Sequence, residues 1–344
     1  TVRSLENRLD RVMAALQGVA TSGNYSEGPF SKRLEGQIEA CVGRPARVVN
    51  SCGSALYLVM KWLRSQGHSD VLVQNNTFFA SGAMVRENDM QVHLVDNRAD
   101  CPSMSVDSLH IAHELTGARV VLLTHVGGWV AKDYQQIAEY CQENRLFLVE
   151  DCAHALGVPL VGSLGQAACW SFYPTKAVPC GEGGAVTSLN EDLMRYVERH
   201  RQYGKHKIEG TIYYDHGMNL RMSEWDAAVM SVQMESMEQI VTLRRQDAEK
   251  LQSIAPCLLD FEADSNFYKF PVSYEVAKGL KRVGAVYTRS DQLDRSLVQY
   301  GYTQPVTLAN SYEWASTHVC LPVGEGLFDG MTETEVARAL SNEV

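Results

Sequence analysis

The stretch Val149-Glu150-Asp151-Cys152-Ala153-His154-Ala155-Leu156-Gly157, followed by Ser171-Phe172-Tyr173-Pro174-Thr175-Lys176 and Gly181-Glu182-Gly183-Gly184, decides the reading of this chain. The run Leu146 to Val149 is apolar and reads as a buried strand. In open α/β sheets ligands bind beyond the carboxyl ends of such strands, and Asp151 sits there. Some twenty-five residues on, Lys176 stands in a turn beside Ser171. A carboxylate at a strand end and a lysine in a nearby apolar turn are what pyridoxal phosphate chemistry uses. The lysine amine condenses with the aldehyde, and the acid keeps the pyridine nitrogen protonated. A lysine taken alone is a surface residue. Here Ala168, Trp170 and Phe172 lead into the turn, and a glycine-rich loop follows it.

Outward from this centre, strand and helix patterns alternate. Arg47-Val48-Val49, Val71-Leu72-Val73, Val92 to Val95, Val120 to Leu123, Leu146 to Val149, Ala168 to Phe172 and Ala185-Val186-Thr187 form a set of about seven strands. Helices are expected at Ala55 to Leu63, Ala80 to Arg86 and Asp133 to Asn144, the last with Asp133 as N-cap. Alternation of this kind implies an α/β fold with a mostly parallel sheet. Ser223 is a good N-cap for one long helix from Glu224 to about Lys250. After it, Phe267 to Val272, Ala285-Val286-Tyr287, Ser290 to Tyr300 and Thr332 to Asn342 read as a small α+β lobe.

Further motifs follow the same order. Asn50-Ser51-Cys52-Gly53-Ser54-Ala55-Leu56 places a glycine turn at a helix start, where backbone amides suit a phosphate. Thr77-Phe78-Phe79-Ala80-Ser81 and Gly217-Met218-Asn219-Leu220-Arg221-Met222-Ser223 complete the set. With the central stretch these segments, over about residues 20–245, resemble the DegT/DnrJ/EryC1/StrS family of sugar aminotransferases. Five motifs in order are far more specific than one. Beyond residue 245 the likeness is confined to Leu321-Pro322.

The resemblance implies a fold-type I pyridoxal-phosphate transferase. It has a large α/β domain over 20–245 and a small α+β domain over 246–344, with residues 1–19 packing near it. It implies transfer of an amino group from L-glutamate or L-glutamine to a keto-sugar, a nucleotide-linked keto-sugar or a related carbonyl. The cofactor is pyridoxal 5'-phosphate. Lys176 and Asp151 would be catalytic. Gly53, Ser54 and Ser171 would cradle the phosphate, Phe78 would stack on the ring with Phe79 packed in the core, and His154 would approach the phenolic oxygen. Asn219 would reach the phosphate from the neighbouring subunit, so the active sites are shared in a homodimer. Arg221 would either meet a substrate anion or form a structural ion pair.

Two rivals remain. A sugar dehydratase or other lyase of the same fold is one, and Lys176 argues against it because dehydratases of the family carry His there. A non-catalytic binding or regulatory protein is the other, and the full set Asp151, His154, Ser171, Lys176 and Asn219 argues against it. A desulfurase would need a cysteine on a mobile loop, which is not seen. The chain also departs from the family: Gln74-Asn75-Asn76 replaces the usual Pro-Ser segment, and Tyr302-Thr303-Gln304-Pro305 stands where a His-Tyr-x-Pro run is common.

Bulk properties agree with an enzyme acting on small molecules. The formal net charge of −10 and the lack of a basic cluster disfavour nucleic acid as partner. No apolar run reaches membrane-spanning length, and no signal peptide is visible, so a cytoplasmic protein is expected. The nine cysteines are scattered without a Cys-x-x-Cys pair, which points to reduced thiols. Cys52, Cys152 and Cys180 lie near the expected site and read as packing residues. His110 and His113 lack further metal-ligand pattern and read as a surface helix, with no metal expected.

Overall fold

The computed structural model describes residues 8–278, 284 and 301–341. Seven strands form one sheet: β1 (Ala46–Val49), β2 (Asp70–Gln74), β3 (Gln91–Val95), β4 (Val120–Thr124), β5 (Phe147–Asp151), β6 (Ala167–Ser171) and β7 (Gly184–Thr187). Their order is β1-β7-β6-β5-β4-β2-β3. All seven sequence-expected strands are present. β7 pairs antiparallel with β1 and β6, and the remaining pairs are parallel. β4 and β6 are buried at every residue. A sheet covered on both faces cannot expose alternate residues, which is why its strands read as unbroken apolar runs.

Helices cover both faces. They are α1 (Leu9–Ser22), α2 (Pro29–Val42), α3 (Cys52–Ser65), α4 (Phe79–Arg86), α5 (Val106–Thr116), α6 (Tyr134–Glu143), α7 (Glu191–His200), α8 (Glu224–Met234) and α9 (Met237–Ile254). Side-chain caps start several of them: the Ser51, Ser105, Asn190 and Ser223 side chains accept from backbone N–H groups in the first turn. Asp133 stands at the N-cap of α6 as expected, but its side chain makes no capping bond there. Its carboxylate is taken by Arg98 and by the Val106 amide, so it anchors the start of α5 instead. The expected long helix after Ser223 is two helices. The break at Glu235–Ser236 lies where Arg11 and Arg33 pair with Glu235, and neither Gly nor Pro marks it in the sequence.

Glu224 shows how a charge becomes structural. It is fully buried and accepts from the amides of Gly28, Phe30 and Ser31 at 2.9 Å, and from the Ser31 hydroxyl. These are the orphan donors of the α2 N-terminus, so one carboxylate pins α2 against α8.

A short exposed hairpin, β8 (His206–Ile208) and β9 (Thr211–Tyr213), precedes α8. Beyond α9, β10 (Phe270–Ser273) and β11 (His318–Leu321) pair antiparallel; the helix Ala309–Thr317 leads directly into β11, and the helix Glu333–Ser341 follows it. A separate apolar cluster gathers Phe267, Phe270, Leu251, Leu321, Phe328 and Leu340. The expected strand 285–287 and helix 290–300 lie outside the described residues. α1 lies against α8, and Arg8 reaches Glu325 across the chain at 2.6 Å. Among the described residues no helix is long and apolar enough to cross a membrane.

Candidate active site

The parallel strands β2, β4, β5 and β6 end side by side, and their C-terminal residues build the site. Asp151 ends β5 and is buried. Its Oδ2 accepts from Ser81 Oγ at 2.8 Å and its Oδ1 from the Ala153 amide at 3.1 Å. Behind Ser81 lies a chain of hydroxyls, since Thr77 Oγ1 stands 3.0 Å from Ser81 Oγ and 2.7 Å from Thr124 Oγ1. Burial pushes the Asp151 carboxyl above its usual range, against the opposing pull of Ser81, the Ala153 amide and Lys176. A carboxylate held this way is short of a cationic partner.

Lys176 follows β6 in a turn closed by its amide donating to Tyr173 O at 2.9 Å. Its Nζ lies 5.1 Å from the centre of the Tyr268 ring. His154 also neighbours that ring, with centroids 4.3 Å apart. One aromatic ring therefore ties the lysine to the loop leaving Asp151. His154 Nδ1 accepts from the Gly127 amide at 3.2 Å, which leaves its proton on Nε2. Burial, with Lys176 and Lys269 nearby, pushes the His154 pKa well down and keeps the ring neutral.

The helix start at α3 meets expectation in part. The first helical bond is Ala55 amide to Ser51 O at 3.1 Å, so the amides of Cys52 and Gly53 precede the ladder and are not used by it. Ser54 is committed locally, its amide to Ser51 Oγ at 3.1 Å and its hydroxyl to Asn50 Oδ1 at 2.6 Å. Ser171 pairs in register with Gly184. A Cβ on Gly184 would stand 2.5 Å from the Ser51 carbonyl carbon and 2.6 Å from the Cys52 nitrogen. Only glycine lets β7 approach this turn, and that approach brings Ser171 to the α3 N-terminus.

Asn219 is exposed, in a segment bridged to Gln202, and its neighbour Leu220 accepts from the Asn50 amide at 2.8 Å. Arg221 donates to Ser26 Oγ at 3.2 Å and lies 5.9 Å from the Tyr203 ring, with no carboxylate paired to it among the described residues. Phe78 is 52% exposed and Phe79 50%. The reading of Phe79 as core is therefore wrong: the pair pack on each other, centroids 4.5 Å apart, at the open start of α4. Cys52, Cys152 and Cys180 have thiols pushed well up by burial, so they stay protonated and agree with packing. Gln74 and Asn75 serve structure, bonding Pro102 O, the Met104 amide and Ser311. His110 and His113 lie on α5, where His113 bonds Tyr140 at 2.7 Å.

A different trio, His125, Glu150 and Cys152, brings its ligand atoms within 4.8 Å of one another. It is a hydrogen-bonded cluster. His125 Nδ1 accepts from the Ala131 amide at 3.0 Å, so Nε2 carries the proton it gives Glu150 at 2.9 Å. Tyr134 and the amides of Gly162 and Gly165 also donate to Glu150. Burial alone would raise the Glu150 carboxyl, but the His125, Gly165 and Tyr134 donors hold it below its usual range.

Three site residues were not anticipated: Asn266, Tyr268 and Lys269. Asn266 is fully buried and donates to His154 O and Leu156 O at 2.9 Å, while its Oδ1 accepts from the Tyr268 amide at 2.9 Å. Its own amide donates to Gly128 O at 3.2 Å, and a Cβ on Gly128 would fall 2.1 Å from Asn266 Oδ1. Gly128, at φ 98°, is fixed as glycine by both facts. Asn266→Ala should strand two carbonyls and an amide, lowering stability by about 3 kcal/mol. Denaturant unfolding of the purified variant checks this; a loss within about 0.5 kcal/mol would remove Asn266 as the clamp.

Comparison with known proteins places this geometry in context. The model of the DegT/DnrJ/EryC1/StrS aminotransferase family matches residues 8–341. The spore coat polysaccharide biosynthesis protein SpsC of Bacillus subtilis is 27% identical over 248 residues, 67% of this chain and 63% of that protein. The chain thus spans a little under two thirds of that relative. The dTDP-3-amino-3,4,6-trideoxy-alpha-D-glucose transaminase of Micromonospora megalomicea is 27% identical over 321 residues, 88% of this chain and 80% of the transaminase. A DegT DnrJ EryC1 StrS aminotransferase structure from Brucella abortus superposes with a TM-score of 0.83 at 22% identity, covering 98% and 97% of the two chains. That likeness shows the fold.

Proposed function

The chain belongs to the DegT/DnrJ/EryC1/StrS aminotransferase family, and on that premise we propose that it moves an amino group from an amino acid, L-glutamate or L-glutamine, to a keto-sugar or related carbonyl with pyridoxal phosphate as cofactor. The observation that carries this reading is the convergence of buried Asp151 and Lys176, joined through His154 and the Tyr268 ring. The residues fit the cofactor. The raised Asp151 carboxyl suits a protonated ring nitrogen, and the unused amides of Cys52 and Gly53 beside Ser171 suit a phosphate.

When bound, pyridoxal phosphate supplies an aldehyde and an electron-accepting ring. Asp151 would hold the proton on the ring nitrogen, oriented by Ser81 and Ala153. Gly53, Ser54 and Ser171 would line the phosphate cup, chiefly through backbone amides at the first two. Phe78 would cover the ring, and neutral His154 would offer its Nε2–H to an oxygen acceptor. Lys176 would hold the aldehyde at rest, then carry a proton from the amino donor's α-carbon to the carbon that had been the aldehyde, on the far side of the shared nitrogen.

Assembly is part of this proposal. Asn219 would complete the phosphate site of a second copy, making a homodimer with shared sites. An inactive Lys176→Ala chain mixed with a chain disabled at Asn219 should then regain activity on subunit exchange. One site of the mixed dimer collects both defects and the other neither. Heterodimers that form but stay inactive would contradict the shared site. The same reading fits a cytoplasmic enzyme with small-molecule partners.

The dehydratase alternative is weakened by one observation, a lysine in the turn after β6. The test is product analysis: incubating the cofactor-loaded protein with an amino donor should yield the matching 2-oxo acid and a pyridoxamine-type absorbance. A protein that binds the cofactor without that change is no aminotransferase.

A further inference from the structure

A cavity of about 600 Å³ runs from Lys176 to the loop Leu321–Phe328. Among the described residues four charged side chains line it: Lys176, Lys269, Arg244 and Glu325. Two of them are committed. Arg244 is buried and donates through Nε and Nη2 to the carbonyls of Asn266, Phe267 and Tyr268. Glu325 is held at 2.6 Å by Arg8, both side chains nearly inaccessible. Two ammonium groups are left. Lys176 and Lys269 stand 5.1 and 4.8 Å from the centre of the same Tyr268 ring, and among the described residues no carboxylate pairs with either. Like charges sharing a partly enclosed space repel, and an anion between them relieves the repulsion.

We propose that Lys269 receives a carboxylate of the amino donor and so selects the donor. This rests on the aminotransferase reading, which brings the donor's nitrogen to Lys176. The geometry favours a carboxylate on a short carbon chain. The cavity walls include Leu321, Val323, Leu327 and Phe328, apolar surface that suits methylene groups. The backbone amide of Lys269 is spent on Gly127 O at 2.9 Å, so no nest of amides for a phosphate forms there. That same bond fixes Lys269 to the turn whose Gly127 amide holds His154, so it is placed by the site's own framework.

The test uses the cofactor-loaded protein with Lys269→Met and Lys269→Arg. Visible absorbance follows titration with L-glutamate and with L-glutamine. Glutarate serves as an unreactive dicarboxylate competitor and inorganic phosphate as a second anion. Lys269→Met should weaken apparent binding of L-glutamate and of glutarate about tenfold or more, the loss of one charge-assisted bond. Lys269→Arg should recover most of it, and melting temperatures should stay level. A smaller loss for L-glutamine assigns the donor's side-chain carboxylate; an equal loss assigns its α-carboxylate. Both support the proposal. Unchanged donor and glutarate binding overturns it, whether or not phosphate competition is lost. A parent protein that answers to no amino acid overturns the aminotransferase reading, and this inference with it. A parent that responds beside an identical Lys269→Met overturns this inference alone.

Discussion

Lys176→Ala is expected to lower turnover by about four orders of magnitude or more, since it removes both the covalent anchor and the proton carrier. Fold should survive. Lys176 is half-buried, and its only close interaction among the described residues is with the face of Tyr268. Such a surface-edge change costs about 0.5 kcal/mol or little more. The variant should still retain cofactor through the α3 N-terminus and Ser171, with the bound form lacking the absorbance of a lysine adduct. Turnover within tenfold of the parent would take Lys176 out of the mechanism. An unfolded variant would instead show that the turn after β6 depends on this side chain.

Asp151→Asn separates chemistry from stability in opposite directions. Activity should fall at least about a hundredfold, because a charge-assisted hydrogen bond of roughly 2–3 kcal/mol to the ring nitrogen is lost. The cofactor-free protein should be as stable as the parent or more so. Burial raises the Asp151 carboxyl above its unfolded value, so the folded state binds the proton more tightly than the unfolded state does. The group's contribution is therefore intact below the unfolded pKa and is lost as pH rises through the folded pKa. Asn cannot ionise and does not pay this loss. The stability advantage of Asp151→Asn should grow from acid toward neutral pH and vanish at low pH. A variant of normal activity, or one whose stability falls relative to the parent as pH rises, would contradict the role given to this carboxyl.

The sheet was legible because β2 to β5 are short runs rich in Val or Leu and β6 is an apolar run of Ala, Cys and Trp, and the ends of β5 and β6 carry the candidate site residues Asp151 and Ser171. The roles proposed for His154 and Asn219 come from the family likeness, and no periodicity suggests them. What stayed hidden depends on contacts between distant segments. Asn266, Tyr268 and Lys269 come from sequence that resembles the family least, yet one buried amide clamps them to the loop after Asp151. The break between α8 and α9 has no Gly or Pro and is marked only by Arg11 and Arg33 meeting Glu235. Asp133 has the chemistry of a cap but faces Arg98 and the Val106 amide instead. Phe79 was misjudged because an aromatic pair in an apolar context usually packs inward, whereas here both rings sit at an open helix start.

The central claim is that Lys176 carries the cofactor opposite Asp151. Reducing the pyridoxal-phosphate-loaded protein with borohydride and mapping its peptides tests it most directly. A pyridoxyl group is expected on Lys176 and on no other lysine, with the visible absorbance lost in proportion. An adduct on Lys269 or elsewhere, or no adduct in a protein that binds the cofactor, would contradict it.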